Sequence, residues 1–184
     1  MTGWSEKRKI MRRYNVTASI YDMRYAEEQE AKFYAALIHL NMKKLGIILD
    51  VGCGTGLLFH HVAGRAKVVV GVDISKESLT MAKQKARGFS TVNLILADAD
   101  NLPLTEGIFA HVFAFTLVQN MPNPAATTRE ITRVSNDETV IVVSALKKAF
   151  SKDAFEKLLT ESGLKVKAFE DKDVKCYIAV CRKA

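Results

Sequence analysis

The sequence is poor in cysteine and has no long apolar run. Its three cysteines, Cys53, Cys176 and Cys181, cannot all pair with one another, and none has the CxxC or Cys/His spacing of a metal site. No apolar run approaches the ~18 residues of a membrane-spanning helix, and no apolar core of a signal peptide follows the charged N-terminus. We therefore expect a reducing, cytoplasmic location, no bound metal and no membrane insertion.

Internal repeats, low-complexity tracts and linkers are also missing. A chain of 184 residues with 48% hydrophobic residues is long enough for one well-buried core. We predict one domain, with a helical N-terminal cap over residues 1–44 and a core that carries the site over residues 45–184. The formal net charge of +7 makes an anionic partner plausible, and we expect a monomer.

The first segment, to about Lys44, has apolar residues at helical spacing and is predicted to be helical. Short apolar runs then alternate with helical stretches, as in a parallel sheet that is buried on both faces. The predicted strands are "IILDV", "KVVVGVD", "VNLILAD", "HVFAFTLV" and "TVIVVSA". This order predicts an α/β, doubly wound, Rossmann-like sheet.

Capping residues and a terminal hairpin complete the predicted fold. Ser75, Asn123 and Ser151 are the predicted N-caps of the helices that follow them, and Gly163 is a predicted helix stop. Near the end, "LKVKAFE" and "VKCYIAVCRKA" flank the polar turn "DKD", which predicts an antiparallel hairpin.

Three alternate glycines, Gly52, Gly54 and Gly56, follow the first predicted strand in "LDVGCGTGLLFH". Glycines here permit a tight turn and the close approach of a ligand to the backbone. The dinucleotide fingerprint needs its third glycine where Leu57 stands, and no P-loop lysine is present. A nicotinamide cofactor and a phosphate-clamping loop are therefore disfavoured.

Two acids follow the next two predicted strands. Asp73 closes "VVVGVD", about 20 residues beyond the loop, where a carboxylate accepts hydrogen bonds from ribose hydroxyls. Asp98 in "LILADADNLPL" is placed to accept from an adenine amino group, with the Ala99 amide nearby and Ile74 covering the ring. Taken alone, Asp73 would be a helix-capping acid and "ADAD" a polar loop.

Together, "LDVGCGTG", "GVDIS" and "ADADNLPL" resemble the motifs of class I S-adenosylmethionine-dependent methyltransferases. The resemblance covers about Leu45 to Arg182 and implies a seven-stranded sheet of order 3-2-1-4-5-7-6. It also implies that S-adenosylmethionine is the cofactor and S-adenosylhomocysteine the product. The implied cofactor contacts are the methionine part with Asp50, Gly52, Gly54 and Gly56, the ribose with Asp73, and the adenine with Ile74, Asp98 and Ala99. Tyr21, in "YD", matches a segment that covers the cofactor in small-molecule members.

The acceptor site is predicted beyond the fourth strand, in "FAFTLVQNMPNP". "QNMP" partly resembles the Asn-Pro-Pro-aromatic loop of enzymes that methylate exocyclic amino groups of bases, matched here by Asn120 and a displaced Pro122. Asn120 or Gln119 would accept hydrogen bonds from the amine; alternatively, both simply satisfy loop backbone. Phe115 would stack on a flipped base or belong to the core.

Basic residues suggest an RNA substrate. Arg12 and Arg13 lie in "EKRKIMRRY", and Lys147 and Lys148 follow the fifth strand at the rim of the site. Such groups suit a phosphate backbone, although a solvated helix would carry the same charges. Because little chain separates the fifth strand from the next helix, we expect an open site without an inserted lid.

The leading prediction is methylation of structured RNA, ribosomal or transfer. The overall pattern resembles small archaeal RNA methyltransferases of the ribosomal N4-cytidine type, which implies a cytosine amino group as acceptor. The alternatives are a small-molecule methyltransferase whose acceptor is enclosed by the N-terminal helices and a cofactor-binding subunit without its own activity.

Overall fold

A computed structural model describes residues 3–41, 43 and 45–184. Seven strands form one sheet: β1 Gly46–Val51, β2 Ala66–Asp73, β3 Val92–Leu96, β4 Phe109–Ala114, β5 Ser135–Leu146, β6 Leu164–Glu170 and β7 Cys176–Lys183. The helices are α1 Gly3–Leu37, α2 Phe59–Val62, α3 Lys76–Ala86, α4 Pro124–Val134 and α5 Lys152–Glu161. Two short 3-10 turns, Ala63–Arg65 and Val118–Asn120, complete the described elements.

The strand order is β3-β2-β1-β4-β5-β7-β6, which confirms the predicted topology. β1 pairs in parallel with β2 and β4, whereas β7 runs antiparallel to both β5 and β6. The predicted hairpin is therefore the β6–β7 pair. The carboxyl ends of β1, β2, β3, β4 and β5 lie at one edge of the sheet, where a doubly wound fold binds its ligands.

The core occupies both faces of the sheet. Ile48 and Leu49, neighbours in β1, are fully buried and belong to two different apolar clusters. Successive strand side chains point to opposite faces, so helices must cover both. This burial on both faces of the sheet is the reason that the strands are continuous apolar runs in the sequence.

The predicted helix caps are confirmed. The side chains of Ser75, Asn123 and Ser151 each accept a hydrogen bond from the backbone N–H three residues later, at 3.1, 3.1 and 3.2 Å. α5 ends at Glu161, and Gly163 follows with a φ of +80°. Local side-chain chemistry thus sets these boundaries.

The predicted ends of the first helix and of β4 were wrong. The first helix ends at Leu37 rather than near Lys44, because the chain turns there with bonds such as His39 N–H to the Ala36 carbonyl; Lys44 itself lies outside the described residues. β4 covers Phe109–Ala114 and stops before the end of "HVFAFTLV". It stops because Thr116 has a φ of +57°, which no strand accommodates.

The cysteines are buried and unpaired. Of the helices that the structure describes, none has the length and apolar character needed to cross a membrane. Within residues 3–41, 43 and 45–184, no group of three or more His, Cys, Asp or Glu side chains is arranged to hold a metal ion.

Candidate functional site

The loop after β1 owes its shape to three glycines with positive φ: +72° at Gly52, +54° at Gly54 and +80° at Gly56. A Cβ at Gly56 would lie 2.5 Å from the Phe59 ring, so this glycine permits close packing against α2. A Cβ at Gly54 would meet nothing within 4 Å. The missing side chain at Gly54 thus leaves open space beside the backbone, as the approach of a ligand requires.

Asp73 holds this loop in place from the end of β2. One carboxylate oxygen accepts from Gly54 N–H and the other from Ser75 N–H, both at 2.8 Å. Burial raises the pKa of Asp73, against these hydrogen bonds, which lower it. The Ile74 N–H also acts on this carboxylate, which leaves at least one of its four lone pairs to accept from a ligand in the cavity that Asp73 lines.

A cavity lies beside Asp73 and is called the central cavity here. Its apolar walls include Val72, Ala97, Leu117 and Met121. The predicted adenine contacts Ile74, Asp98 and Ala99 line it as well. A cavity with apolar walls and two carboxylates in its lining, those of Asp73 and Asp98, suits a nucleoside with an amino group and ribose hydroxyls.

Asp50 lies in a smaller side cavity, whose lining shares Gly52, Gly54 and Tyr21 with the central cavity. Asp50 is only 3% exposed. Burial, and then the charge of Asp73, raises the pKa of Asp50 to about 8. A cationic group on a bound ligand would therefore stabilise the ionised form of the Asp50 carboxyl group. Gly56, also predicted to contact the cofactor, does not line either cavity.

The expectation of an open site was wrong on the side of the central cavity, because α1 lies across it. Lys7 of α1 forms ion pairs with Asp98 at 2.6 Å and Asp100 at 2.5 Å. Burial disfavours the Lys7 ammonium, but the hydrogen bonds to the two aspartates outweigh burial and raise the pKa of Lys7. The Ser75 hydroxyl donates to the side-chain oxygen of Asn15 at 2.7 Å. A lid therefore exists, although it comes from the N-terminal helix and not from an insertion.

A second depression, called the basic groove here, adjoins the central cavity. Both are lined by Tyr14, Tyr21, Thr116 and Asn120, so these four residues mark the junction between them. Burial raises the pKa of the Tyr14 and Tyr21 phenols above their ordinary value. Both rings are thus neutral donors or acceptors at physiological pH.

Thr116 at this junction is held in a left-handed conformation by several partners. Its N–H donates to the Ser144 hydroxyl at 2.8 Å, and its own hydroxyl lies within 3.3 Å of the Gln29 amide and the Lys32 ammonium. Lys32 is fully buried and is neutralised by Glu28 at 2.8 Å. A positive φ in a non-glycine residue at a strand end is typical of functional sites.

Asn120 is occupied by contacts within the protein. Its carbonyl oxygen accepts from Arg13 at 2.8 Å, while its amide N–H groups donate to the Tyr14 hydroxyl at 3.0 Å and the Thr116 carbonyl at 2.8 Å. Both donors are used, so Asn120 joins α1 to the end of β4. Its predicted role as acceptor for a substrate amine would have to use the second lone pair of the oxygen.

The other predicted acceptor-site residues lie in different surroundings. Gln119 lines the basic groove, and both atoms of its amide are buried without a hydrogen-bond partner in the described part of the chain. Pro122 is exposed and lines neither the central cavity nor the groove. Phe115 is 8% exposed, lines the central cavity and packs edge-on against Phe33 at 4.9 Å between ring centroids.

The predicted basic residues are divided. Lys147 and Lys148 line the basic groove with Arg13, whereas Arg12 is exposed and lines neither depression. Arg24 and Lys175 also line the groove and were not predicted.

Several site residues escaped sequence analysis. Asn15, Gln29 and Lys32 belong to α1, whose sequence gave no motif for them. Thr116 escaped as well, because it lies inside the predicted strand "HVFAFTLV", whereas the observed strand β4 ends at Ala114.

Together, the strand order, the glycine loop and the carboxylates after β2 and β3 define the class of S-adenosylmethionine-dependent methyltransferases. A family model described as a methyltransferase domain matches residues 42–178. The chain belongs to this family.

Curated relatives agree with that class, and a solved structure shares the fold. The chain is 27% identical over 148 residues to malonyl-acyl-carrier-protein O-methyltransferase of Marinomonas sp. strain MWYL1, covering 79% of this chain and 54% of that protein. It is 32% identical over 106 residues to demethylmenaquinone methyltransferase of Staphylococcus saprophyticus, covering 56% and 46%. The crystal structure of magnesium protoporphyrin IX methyltransferase from Synechocystis PCC 6803 with bound S-adenosylmethionine has a TM-score of 0.77 at 19% identity, covering 97% of each chain. The chain spans about half the length of the curated relatives it matches.

Proposed function

We propose that the protein transfers a methyl group from S-adenosylmethionine to a small-molecule acceptor. The observation that carries this proposal is the junction at Thr116 and Asn120, where the cavity suited to the cofactor meets a groove walled by α1. The relatives named above are, by name, methyltransferases of malonyl-acyl carrier protein, demethylmenaquinone and magnesium protoporphyrin IX. None of these names specifies RNA.

The cofactor would be held by residues that line the cavities. Asp73 would accept from the ribose hydroxyls, Asp98 and the Ala99 amide would face the adenine, and Asp50 with the Gly52–Gly54 loop would hold the methionine part. The open space beside Gly54 and the remaining lone-pair capacity of Asp73 fit these roles. When bound, the cofactor supplies an electrophilic methyl group on a sulfonium.

The work of the protein is then to orient the acceptor and exclude water. α1 closes the central cavity through Lys7 and Asn15, which limits the access of solvent. Tyr14, Tyr21 and Thr116 lie where the acceptor would approach. Their hydroxyl groups are neutral and can hold the acceptor by hydrogen bonds without covalent chemistry.

The RNA substrate stays a prediction with less support. Of its basic residues, Arg13 is engaged by Asn120 and Arg12 lies outside the groove. Of its amine-binding residues, Asn120 is engaged by Arg13, Tyr14 and Thr116, and Pro122 does not line the groove. Methylation of a cytosine N4 amino group likewise stays a prediction with less support.

Transfer of a radiolabelled methyl group tests the proposal. The protein is incubated with methyl-labelled S-adenosylmethionine and either a protein-free metabolite extract or purified total RNA. We expect label in the low-mass fraction and none in RNA, with loss of labelling in Asp73→Ala. Label confined to RNA would overturn the small-molecule acceptor, and label in neither fraction would contradict the activity itself.

A further inference from the structure

The charged side chains that line the basic groove favour a ligand of one sign of charge. Five cationic side chains line it: Arg13, Arg24, Lys147, Lys148 and Lys175. Its one acidic residue, Glu28, is paired with the buried Lys32 at 2.8 Å and with Lys175 at 3.4 Å. The protein thus already neutralises the single negative charge of the groove, and an excess of positive charge remains.

Two of these cations have no partner of their own. In the part of the chain that the structure describes, the side chains of Arg24 and Lys148 form no hydrogen bond or ion pair. The Lys147 ammonium donates to the backbone carbonyl of Asp171 and lies over the Tyr177 ring, but it has no carboxylate partner there. An uncompensated cluster of like charges costs free energy unless an anion joins it. The groove therefore favours an anionic ligand.

The remaining walls suit a planar body. Tyr14, Tyr21 and Tyr25 line the groove, with Tyr21 and Tyr25 at 5.0 Å between ring centroids. Gln119 adds a buried amide whose donor and acceptor are both unpaired among the described residues. Because these two atoms have almost no accessible surface, the tyrosine rings and not the Gln119 amide are the part of the wall that a ligand would contact.

We propose that the acceptor is a small anionic molecule, an aromatic or similarly planar carboxylate or phosphate ester. Its negative group binds at Arg24, Lys147 and Lys148, and its body lies along the tyrosines. Its reacting atom is then directed to the junction at Thr116, where the central cavity begins. This inference rests on the proposed function and adds the chemical class of the substrate.

Binding of matched probes to the protein saturated with S-adenosylhomocysteine tests the inference. Benzoate, phenyl phosphate and the neutral benzamide share one ring and differ in charge, and their dissociation constants can be measured by ligand-observed NMR. We expect benzoate or phenyl phosphate to bind about tenfold more tightly than benzamide, as several exposed ion pairs together allow. The stronger of the two anions identifies carboxylate or phosphate as the group recognised.

Two variants that each remove one positive charge from the groove, with one control variant, locate the effect. Lys148→Gln should reduce the preference for the anion about twofold to fivefold, and Arg24→Gln should do the same. Lys157→Gln removes another exposed lysine, which lies on α5 and pairs with Glu161 at 3.7 Å, and it should leave the preference unchanged. All three proteins should bind S-adenosylhomocysteine as the wild type does.

The possible results separate the inference from the proposed function. Equal binding of the three probes, or no binding of any of them by a protein that does bind S-adenosylhomocysteine, would overturn the anionic acceptor alone. Loss of S-adenosylhomocysteine binding in the wild type would instead contradict the proposed function. A short single-stranded RNA provides the last comparison. Binding whose affinity falls with salt at a log–log slope steeper than about −2 would indicate about three neutralised phosphates. That result would identify RNA, and not a small anion, as the ligand of the groove.

Discussion

Asp50 provides a direct test of how the methionine part of the cofactor is held. Burial and the nearby charge of Asp73 raise the pKa of Asp50 to about 8, so about 90% of this carboxyl group is protonated at pH 7. The amino group of the methionine part, placed against Asp50 as we propose, would favour the ionised carboxylate. Cofactor binding should therefore expel the Asp50 proton.

The size of the effect follows from that pKa. If the ion pair returns the pKa of Asp50 to below about 6, binding releases about 0.8 to 0.9 proton at pH 7 and about 0.1 at pH 9. The contribution of Asp50 to affinity should rise by up to tenfold per pH unit between about pH 6 and pH 8 and then level off. The sign is fixed, because the free protein holds the proton and the complex does not.

Calorimetric titration with S-adenosylhomocysteine in phosphate and in Tris buffer measures this proton count. The slope of the observed enthalpy against the buffer's ionisation enthalpy gives the number of protons released. Asp50→Asn is the matched control, since it keeps the shape of the side chain and removes its proton, while the ligand's own proton exchange cancels in the comparison. Equal proton release by both proteins at pH 7 would refute the placement of the amino group at Asp50.

Three further outcomes are expected. Gly56→Ala should lower the free energy of unfolding by at least about 1 kcal/mol, because φ is +80° and a Cβ would lie 2.5 Å from Phe59. Urea denaturation measures this free energy. The control Gly64→Ala should change it little, because a Cβ there would meet nothing within 4 Å. Asp73→Ala should weaken S-adenosylhomocysteine binding by about 1–3 kcal/mol; unchanged affinity by calorimetry would remove Asp73 from the ribose. Burial lowers the pKa of His111, so the unfolded state binds more protons and the free energy of unfolding should fall from pH 7 to pH 5. His111→Asn should lose less over that interval, and equal losses in urea denaturation would contradict this origin.

The sheet could be predicted from the sequence because its signals are local. Continuous apolar runs predict strands that are buried on both faces, and Ser75, Asn123 and Ser151 cap their helices through contacts three residues away. β4 shows where local signals fail. The apolar run continues to Val118, but Thr116 turns out of the strand through partners on α1 and β5, which lie far away in sequence.

The candidate site likewise has one part that local sequence signals predict and another that they do not. The glycine loop and Asp73 lie within 22 residues of one another and touch directly, as Gly54 N–H to Asp73 shows. Lys7, by contrast, reaches Asp98 across a sequence separation of 91 residues. Nothing in the charge pattern of the N-terminal segment distinguishes this partly buried lysine from its exposed neighbours, so its partner could not be predicted.

α1 nevertheless carries a periodic signal, in polar and aromatic residues rather than apolar ones. One stripe of this helix, at steps of three and four, lines the central cavity and the basic groove: Lys7, Ile10, Tyr14, Thr17, Tyr21, Arg24 and Glu28. Residues at these steps share one face of a helix. Apolar periodicity alone does not detect this face, because most of its members are polar or charged. Arg12 and Arg13 form one basic cluster in the sequence, yet about 100° of helical rotation separates them, and Arg13 alone lines the groove. A basic cluster on a helix therefore has to be divided by helical face before it is assigned to one partner.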